Sequence, residues 1–418
     1  MGPTALFDKS FLQSLHLDES VWFDRFFSAN ICPLFYVETL ADLDKSNLAN
    51  GRTPERLVGI IAEKTPEVSG CPSVHHQPLC ISELMGQRVP MTGQIPVAGG
   101  RPVNHEGRRG AVFNVSPESL AFSRWRQGHF QNVERDYARG WRDMLSKLDL
   151  PSVARGMRAL GIDSSVAKTL EDAVALARRV VHGGVKPFDQ IQLVFAFVDI
   201  PKELMHPILE RWSVDRYRPL SEYAPYVAHV LTVEIFFQIA LGAGLISAER
   251  ASNRADIAYL FYLPFCHVFI SADKLHRRCV PLFLRAKQDF IWGPDLKADL
   301  RRLNDYYAQL PAEIKDQGIS HFASEPMGEE TDLIIRLWDR HLPGWRATQR
   351  PSRPISVQSQ QELFGRMKGM RSAPTTKTPN FADPNSDLSE LSIERHVLRK
   401  KGAWYQVPKD LQEDQSEI

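Results

Sequence analysis

The sequence predicts an α/β fold, a parallel sheet flanked by helices and interrupted by a mainly α-helical insertion, and three observations predict it. Near the start, the short apolar run of residues 4–7 ends in Asp8 and is followed by Phe11, Leu12 and Leu15 at helical spacing. Far along the chain, residues 253–263 read as a helix that stops before Pro264, and the apolar run 267–270 reads as a buried parallel strand ending near Asp273. Between them, residues 46–220 lose this alternation and read as mainly helical. A strand, an acid and a helix recur on both sides of the insertion, which is the pattern of one α/β layer built from two chain segments.

Taken in order, residues 21–29 are expected as an amphipathic helix carrying Trp22, Phe23, Phe26 and Phe27. Residues 31–36 are expected as a strand broken at Pro33, with Glu38 at the head of a helix over 37–43. From 45 to 110 the many Pro and Gly residues predict loops and short elements. Ser116 with Pro117 then opens a helix, and Val133, Tyr137, Trp141, Leu145 and Leu148 line one face of a long one. Thr169 with Asp172 forms a capping box for a helix that closes at Gly183 and Gly184. Residues 188–200 are apolar enough for a helix or a strand, and Pro187 and Pro201 bracket them without deciding. Residues 207–212 and 223–246 are expected as helices, as are 275–287 and 297–309. Asn253 is expected to cap the helix that carries Asp256.

The resulting division is 1–45 and 221–345 as two parts of one α/β domain, 46–220 as the insertion, and 346–418 as a largely flexible extension. That extension contains linker-like stretches at 350–354, 374–379 and 383–387, with order expected to return over 388–408. Lys plus Arg number 51 against 50 Asp plus Glu, so a net charge of +1 supplies no global attraction to nucleic acid or an anionic membrane. Five cysteines without a CxxC pair fit a reducing compartment, and the amino terminus lacks signal-peptide features, so a cytoplasmic protein is expected. The apolar run 226–246 contains His229, Glu234 and Gln238, which predicts a core helix and no membrane span.

Four acids stand at strand ends or helix starts in this reading: Asp8, Glu38, Asp256 and Asp273. Ligands of open α/β sheets bind outside the carboxyl ends of the strands. Four carboxylates brought together there repel one another, and a divalent cation relieves that repulsion. Mg²⁺ or Mn²⁺ favours oxygen ligands and activates water toward a phosphodiester. Read singly, each acid is better explained without a metal: Asp8 and Asp273 as N-caps, Asp256 in a capping box with Asn253, and Glu38 favouring a helix dipole.

The order and spacing of these motifs resemble the PIN-domain nucleases. Asp8-Lys9-Ser10 fits an Asp-x-Ser/Thr/Asn motif after the first strand, Glu38 fits the second acid, Asp256 the acid opening a late helix, and Ser271-Ala272-Asp273 the closing Ser/Thr-x-Asp. The resemblance covers about residues 4–45 and 225–290, and the large insertion and long extension depart from compact members of the family. It implies a PIN-like sheet, a four-carboxylate Mg²⁺ or Mn²⁺ site made of Asp8, Glu38, Asp256 and Asp273, and a metal-dependent endonuclease acting on RNA rather than DNA. Alternatives are a degenerate PIN-like scaffold that binds protein or nucleic acid, or a small-molecule phosphohydrolase. The last would usually need an Asp where Ser10 stands.

Around the acids, Ser10 and Ser271 are expected to orient carboxylates or touch a metal-bound water, Glu234 to add a ligand, and His276 to hold a phosphate or shuttle a proton. Ordinary turn, ion-pair and helix-surface roles compete with each of these. Arg101, Arg108, Arg109, Arg124 and Arg126, with Trp125 among them, form a candidate nucleic-acid surface offset by nearby acids. Arg395, Arg399, Lys400 and Lys401 beside Trp404 and Tyr405 form a second, for a nucleic acid or a protein partner of the extension. Cys71, His75, His76 and Cys80 have zinc-ligand chemistry but match no standard closed spacing, and Gly99-Gly100-Arg101 reads as a turn.

Overall fold

A computed structural model describes residues 2–45, 51–147, 163–183, 186–348, 357–375 and 390–410. Its central feature is a five-stranded, all-parallel sheet flanked by helices. The strands are β1 (Thr4–Phe7), β2 (Ser28–Ile31), β3 (Cys71–Pro72), β6 (Val268–Ser271) and β7 (Asp289–Trp292). They lie in the order β3-β2-β1-β6-β7. In β1 and β6 every residue is buried, because helices cover both faces of a parallel sheet. Leu6 lies opposite Asn30 on one side and Phe269 on the other.

The β1 and β6 strands match the sequence reading closely, and the α/β class holds. Several local expectations do not. The expected strand over 31–36 is instead the end of β2 followed by the helix Pro33–Leu40, with Pro33 in its first turn. A proline there has its ring-fixed φ suited to a helix start and loses no hydrogen bond, so the chain turns into a helix as soon as β2 ends. Glu38 therefore sits in the last turn of that helix and not at a helix head. The helix expected over 21–29 runs Leu17–Phe26.

The helix expected over 253–263 is α-helical only over Asn253–Ala258 and then tightens into a 3₁₀ stretch, Tyr259–Phe265, that contains Pro264. Ser252, not Asn253, occupies its cap position, while the Asn253 side chain donates to the Ser247 carbonyl. The helix after Asp273 is short, Lys274–Cys279, because Pro281 follows. The ambiguous apolar stretch after Pro187 is a helix, Pro187–Phe197. Two strands of this central sheet had no sequence signal strong enough to read: β7, and the two-residue β3. The sheet draws β3 from within residues 46–220, beside the helix Pro54–Lys64, which packs against the amino-terminal helices.

The helix Pro225–Gly242 is long and apolar enough to cross a membrane, but it runs through the protein interior, with residues 226–228 and 230–241 all buried. A small second sheet pairs β4 (Arg101–His105) and β5 (Arg108–Phe113) as a hairpin, with Glu106 and Gly107 both at positive φ as a type I′ turn requires. The carboxyl-terminal strand β8 (Glu390–Ile393) adds to β5 in parallel. A last hairpin, β9 (Lys400–Lys401) and β10 (Trp404–Tyr405), turns at Gly402. Its backbone approaches Asp18 so closely that a Cβ at Gly402 would lie 2.0 Å from a carboxylate oxygen.

Within the extension, residues 390–408 pack on the body, in the stretch where the sequence predicts a return of order. Trp404 is buried, Arg395 donates to the Gly70 carbonyl, and Lys401 is buried with its ammonium on the Thr65 carbonyl. The linker-like stretches 350–354 and 383–387, and 374–379 beyond Thr375, lie outside the described residues, as do Leu148 and Gly184.

Candidate functional site

Strand order reverses direction between β1 and β6: from β1 the chain winds outward to β2 and β3, and from β6 to β7. That is the topological switch point of the sheet, where the loops leaving two neighbouring strands part and open a crevice. Asp8 leaves β1 there, and Ser271 and Asp273 leave β6. The two loops are stitched together. Ser10 donates to Asp8 Oδ2 at 2.7 Å and accepts from the Ala272 N–H at 3.3 Å, while Ser271 donates to the same Asp8 oxygen at 2.7 Å and accepts from the Asp273 N–H at 2.9 Å. Both serines thus orient the Asp8 carboxylate, one of the two roles their position suggested.

Asp8 is buried and heavily bonded. Its Oδ1 accepts from the Phe11 N–H at 2.9 Å, capping the helix Lys9–Ser14, and its Oδ2 also lies 3.3 Å from His276 Nδ1. Burial alone would push its acidity down, but the donors from His276, Ser10 and Ser271 outweigh it and hold the carboxyl below its usual range. His276 is fully buried, not on a helix surface. Its Nε2 lies 2.7 Å from the Asp256 carbonyl oxygen, an acceptor only, so that nitrogen carries a proton. Burial would favour the neutral ring, yet the hydrogen bond and charge of Asp8 push its pKa up to about 9, making it an imidazolium.

The remaining acids face the same crevice electrically. Asp256 titrates at about 7, raised first by burial and then by the charges of Glu38, Asp273 and Asp8, against a lowering influence of His276. Its carboxylate makes no hydrogen bond or ion pair with a described residue. Glu38 is raised by burial and restrained by Lys9 and by the Tyr259 hydroxyl, which donates to Oε2 at 2.7 Å. Lys9 reaches the Glu38 carbonyl at 2.9 Å and Asp42 at 3.1 Å. Asp273 caps its helix through the Leu275 N–H at 2.6 Å.

The charges of Glu38, Asp273 and Asp8 all bear on Asp256, so the four predicted acids are electrostatic neighbours near the β1 and β6 ends, with two groups beside Glu38 that the spacing of acids did not single out, Tyr259 and Lys9. In chemistry the set fits a hard divalent cation: oxygen donors only, mutually repelling, with Asp256 unbonded among the described residues. In position it fits less well. Asp8 is already bonded by four donors, and among the described residues no three His, Cys, Asp or Glu side chains converge as a ligand group.

Other candidates are used elsewhere. Glu234 pairs with Arg254, whose guanidinium also lies over the Phe237 and Phe261 rings, so it adds no ligand. The arginine surface is largely absorbed by internal contacts: Arg101 donates to the Arg371 and Ala373 carbonyls, Arg124 pairs with Glu134 at 2.7 Å, Arg126 pairs with Glu67, and Trp125 is fully buried. The side chain of Arg108 lies outside the described residues, and Arg109 is engaged within the protein. Of the second basic patch, Arg395 and Lys401 are spent on docking, and Lys400 lies over the Tyr405 ring. The His75 and His76 rings lie tilted against each other with their centroids 4.2 Å apart, and no metal-ligand cluster forms there among the described residues.

No protein-family model, curated protein or solved structure shows significant similarity to the chain.

Proposed function

We propose that the crevice between β1 and β6 is a PIN-like, metal-dependent phosphodiesterase site, acting as an endoribonuclease. The observation that carries this reading is Asp256: a half-buried carboxylate without a partner among the described residues, pushed up to about 7 first by burial and then by the charges of Glu38, Asp273 and Asp8. A bound Mg²⁺ or Mn²⁺ would supply Lewis-acid polarisation of a phosphodiester and a more acidic water. In this reading Asp256, Glu38 and Asp273 face the ion, Tyr259 orients Glu38, and the Asp8–His276 pair with Ser10 and Ser271 holds the two strand-end loops in register. The choice of RNA rests on the family resemblance alone.

A second reading is favoured by the same network. A buried imidazolium already balances Asp8, so this carboxylate needs no ion, which suits a degenerate scaffold that binds a partner. One experiment separates them: cleavage of labelled single-stranded RNA and DNA with Mn²⁺ or chelator, alongside melting curves with and without Mn²⁺. The nuclease reading expects metal-dependent cleavage of RNA, a Mn²⁺-dependent rise in melting temperature, and a loss of roughly 100-fold or more in Asp256→Asn and Asp273→Asn. Neither variant strips a backbone group of its partner, since Asp273→Asn retains a side-chain oxygen to accept from the Leu275 N–H. No cleavage and no Mn²⁺ stabilisation would leave the scaffold reading.

A further inference from the structure

Away from the acidic crevice, a cavity of about 300 Å³ opens where three helices and one loop meet. Arg178 and His182 stand one turn apart on the helix Leu170–His182, and His229 and Thr232 share a face of the helix Pro225–Gly242. Ser221 comes from the short helix Leu220–Tyr223, and Arg285 from the loop before β7. Among the described residues no carboxylate lines this cavity. Asp8, Glu38, Asp256 and Asp273 are not among its walls.

The two arginines are held but not neutralised. An Arg178 Nη donates to the Leu282 carbonyl at 2.8 Å, and Arg285 donates to the Met91 carbonyl at 2.7 Å and lies 3.2 Å from the Met91 sulfur. Carbonyls orient a guanidinium without cancelling its charge, and neither arginine forms an ion pair with a described residue. Their positive field is felt at His229, which burial and both guanidiniums together push down to about 4 against the opposing hydrogen bond to the Leu260 carbonyl. The Ser221 hydroxyl adds a donor that is not bonded to any described residue.

We propose that this cavity is a binding site for a small phosphate monoester, with Arg178 and Arg285 clamping the phosphate and Ser221 donating to it. Two anchored guanidiniums present forked donors that match phosphate oxygens, and the volume stands at the lower end of small-molecule sites, room for a compact ester rather than a polymer. The site is independent of the nuclease reading, and either stands if the other fails.

The test is titration calorimetry on the full-length chain with ribose 5-phosphate, AMP and inorganic phosphate, with adenosine as the uncharged control. Saturable binding of an ester that adenosine does not reproduce is expected; AMP, ribose 5-phosphate and free phosphate then distinguish a nucleotide, a sugar phosphate and the bare anion as the source. Arg178→Ala and Arg285→Ala should each weaken binding about tenfold or more. Ser221→Asp keeps both arginines and both of their anchors while adding a negative charge, and should abolish binding with an unchanged melting temperature. The proposal is overturned if no phosphate compound binds, if adenosine binds equally well, or if Ser221→Asp and the arginine variants bind as the wild type does.

Discussion

Asp8 shows how one residue can serve architecture and chemistry together. It caps the first helix, receives hydroxyls from both strand-end loops and faces a buried imidazolium. Removing one member of such a pair strands the other charge away from water. Asp8→Ala should therefore lower unfolding free energy by about 3–5 kcal/mol, read from urea denaturation at pH 7. A loss below about 1 kcal/mol would mean that His276 finds another partner or is neutral. The acid's place was legible because an apolar run ending in Asp before a helix is a local pattern. The inward placement of His276 was not, since a short helix shows which residues share a face but not which face is covered.

At the scale of elements, Glu83 ties two helices that are far apart in sequence. It lies near the end of the helix His76–Leu84, and its Oε2 accepts from the Tyr226 and Val227 N–H groups at 2.8 and 2.9 Å, capping the core helix Pro225–Gly242. Burial pushes its carboxyl up to about 7, more than the Val227 and Tyr226 N–H groups pull it down. In the unfolded chain the group titrates near 4.5, so the folded protein binds the extra proton between about 4.5 and 7. Stability from this group is full below 4.5 and is lost as pH rises through 7. Glu83→Gln keeps an acceptor for the helix and removes the charge, so its melting temperature relative to wild type should rise between about pH 5 and pH 8. A constant difference across that range would show that Glu83 does not titrate there. Glu83→Ala instead leaves two buried N–H groups unsatisfied and should cost about 1–3 kcal/mol at about pH 5 by urea denaturation.

For the whole molecule, the carboxyl-terminal hairpin closes the amino-terminal core. Trp404 lies 4.7 Å edge-on from Trp22, which stacks 4.4 Å from Tyr307, and the indole N–H groups of Trp404 and Trp22 donate to Asn304 Oδ1 at 2.9 and 3.1 Å. Trp404→Ala should lower stability by about 3–5 kcal/mol in urea denaturation, as expected for a large aromatic removed from a packed interior. A near-neutral effect would mean that the hairpin only rests on a core complete without it.

By itself the sequence determined what local chemistry determines: the central strands β1 and β6, several helix caps, the core character of the Pro225–Gly242 helix, and four acids placed next to strands or helices. Periodicity, apolar runs and cap residues act over a few positions, so they are visible along the chain. The tertiary structure alone decided the rest. It set the β3-β2-β1-β6-β7 order that makes a switch point between Asp8 and Asp273, recruited β3 from the middle of the chain, and spent the basic patches on internal pairs. Each of those depends on which surfaces meet across tens to hundreds of residues, and that is settled by burial and packing of the whole molecule rather than by any local pattern.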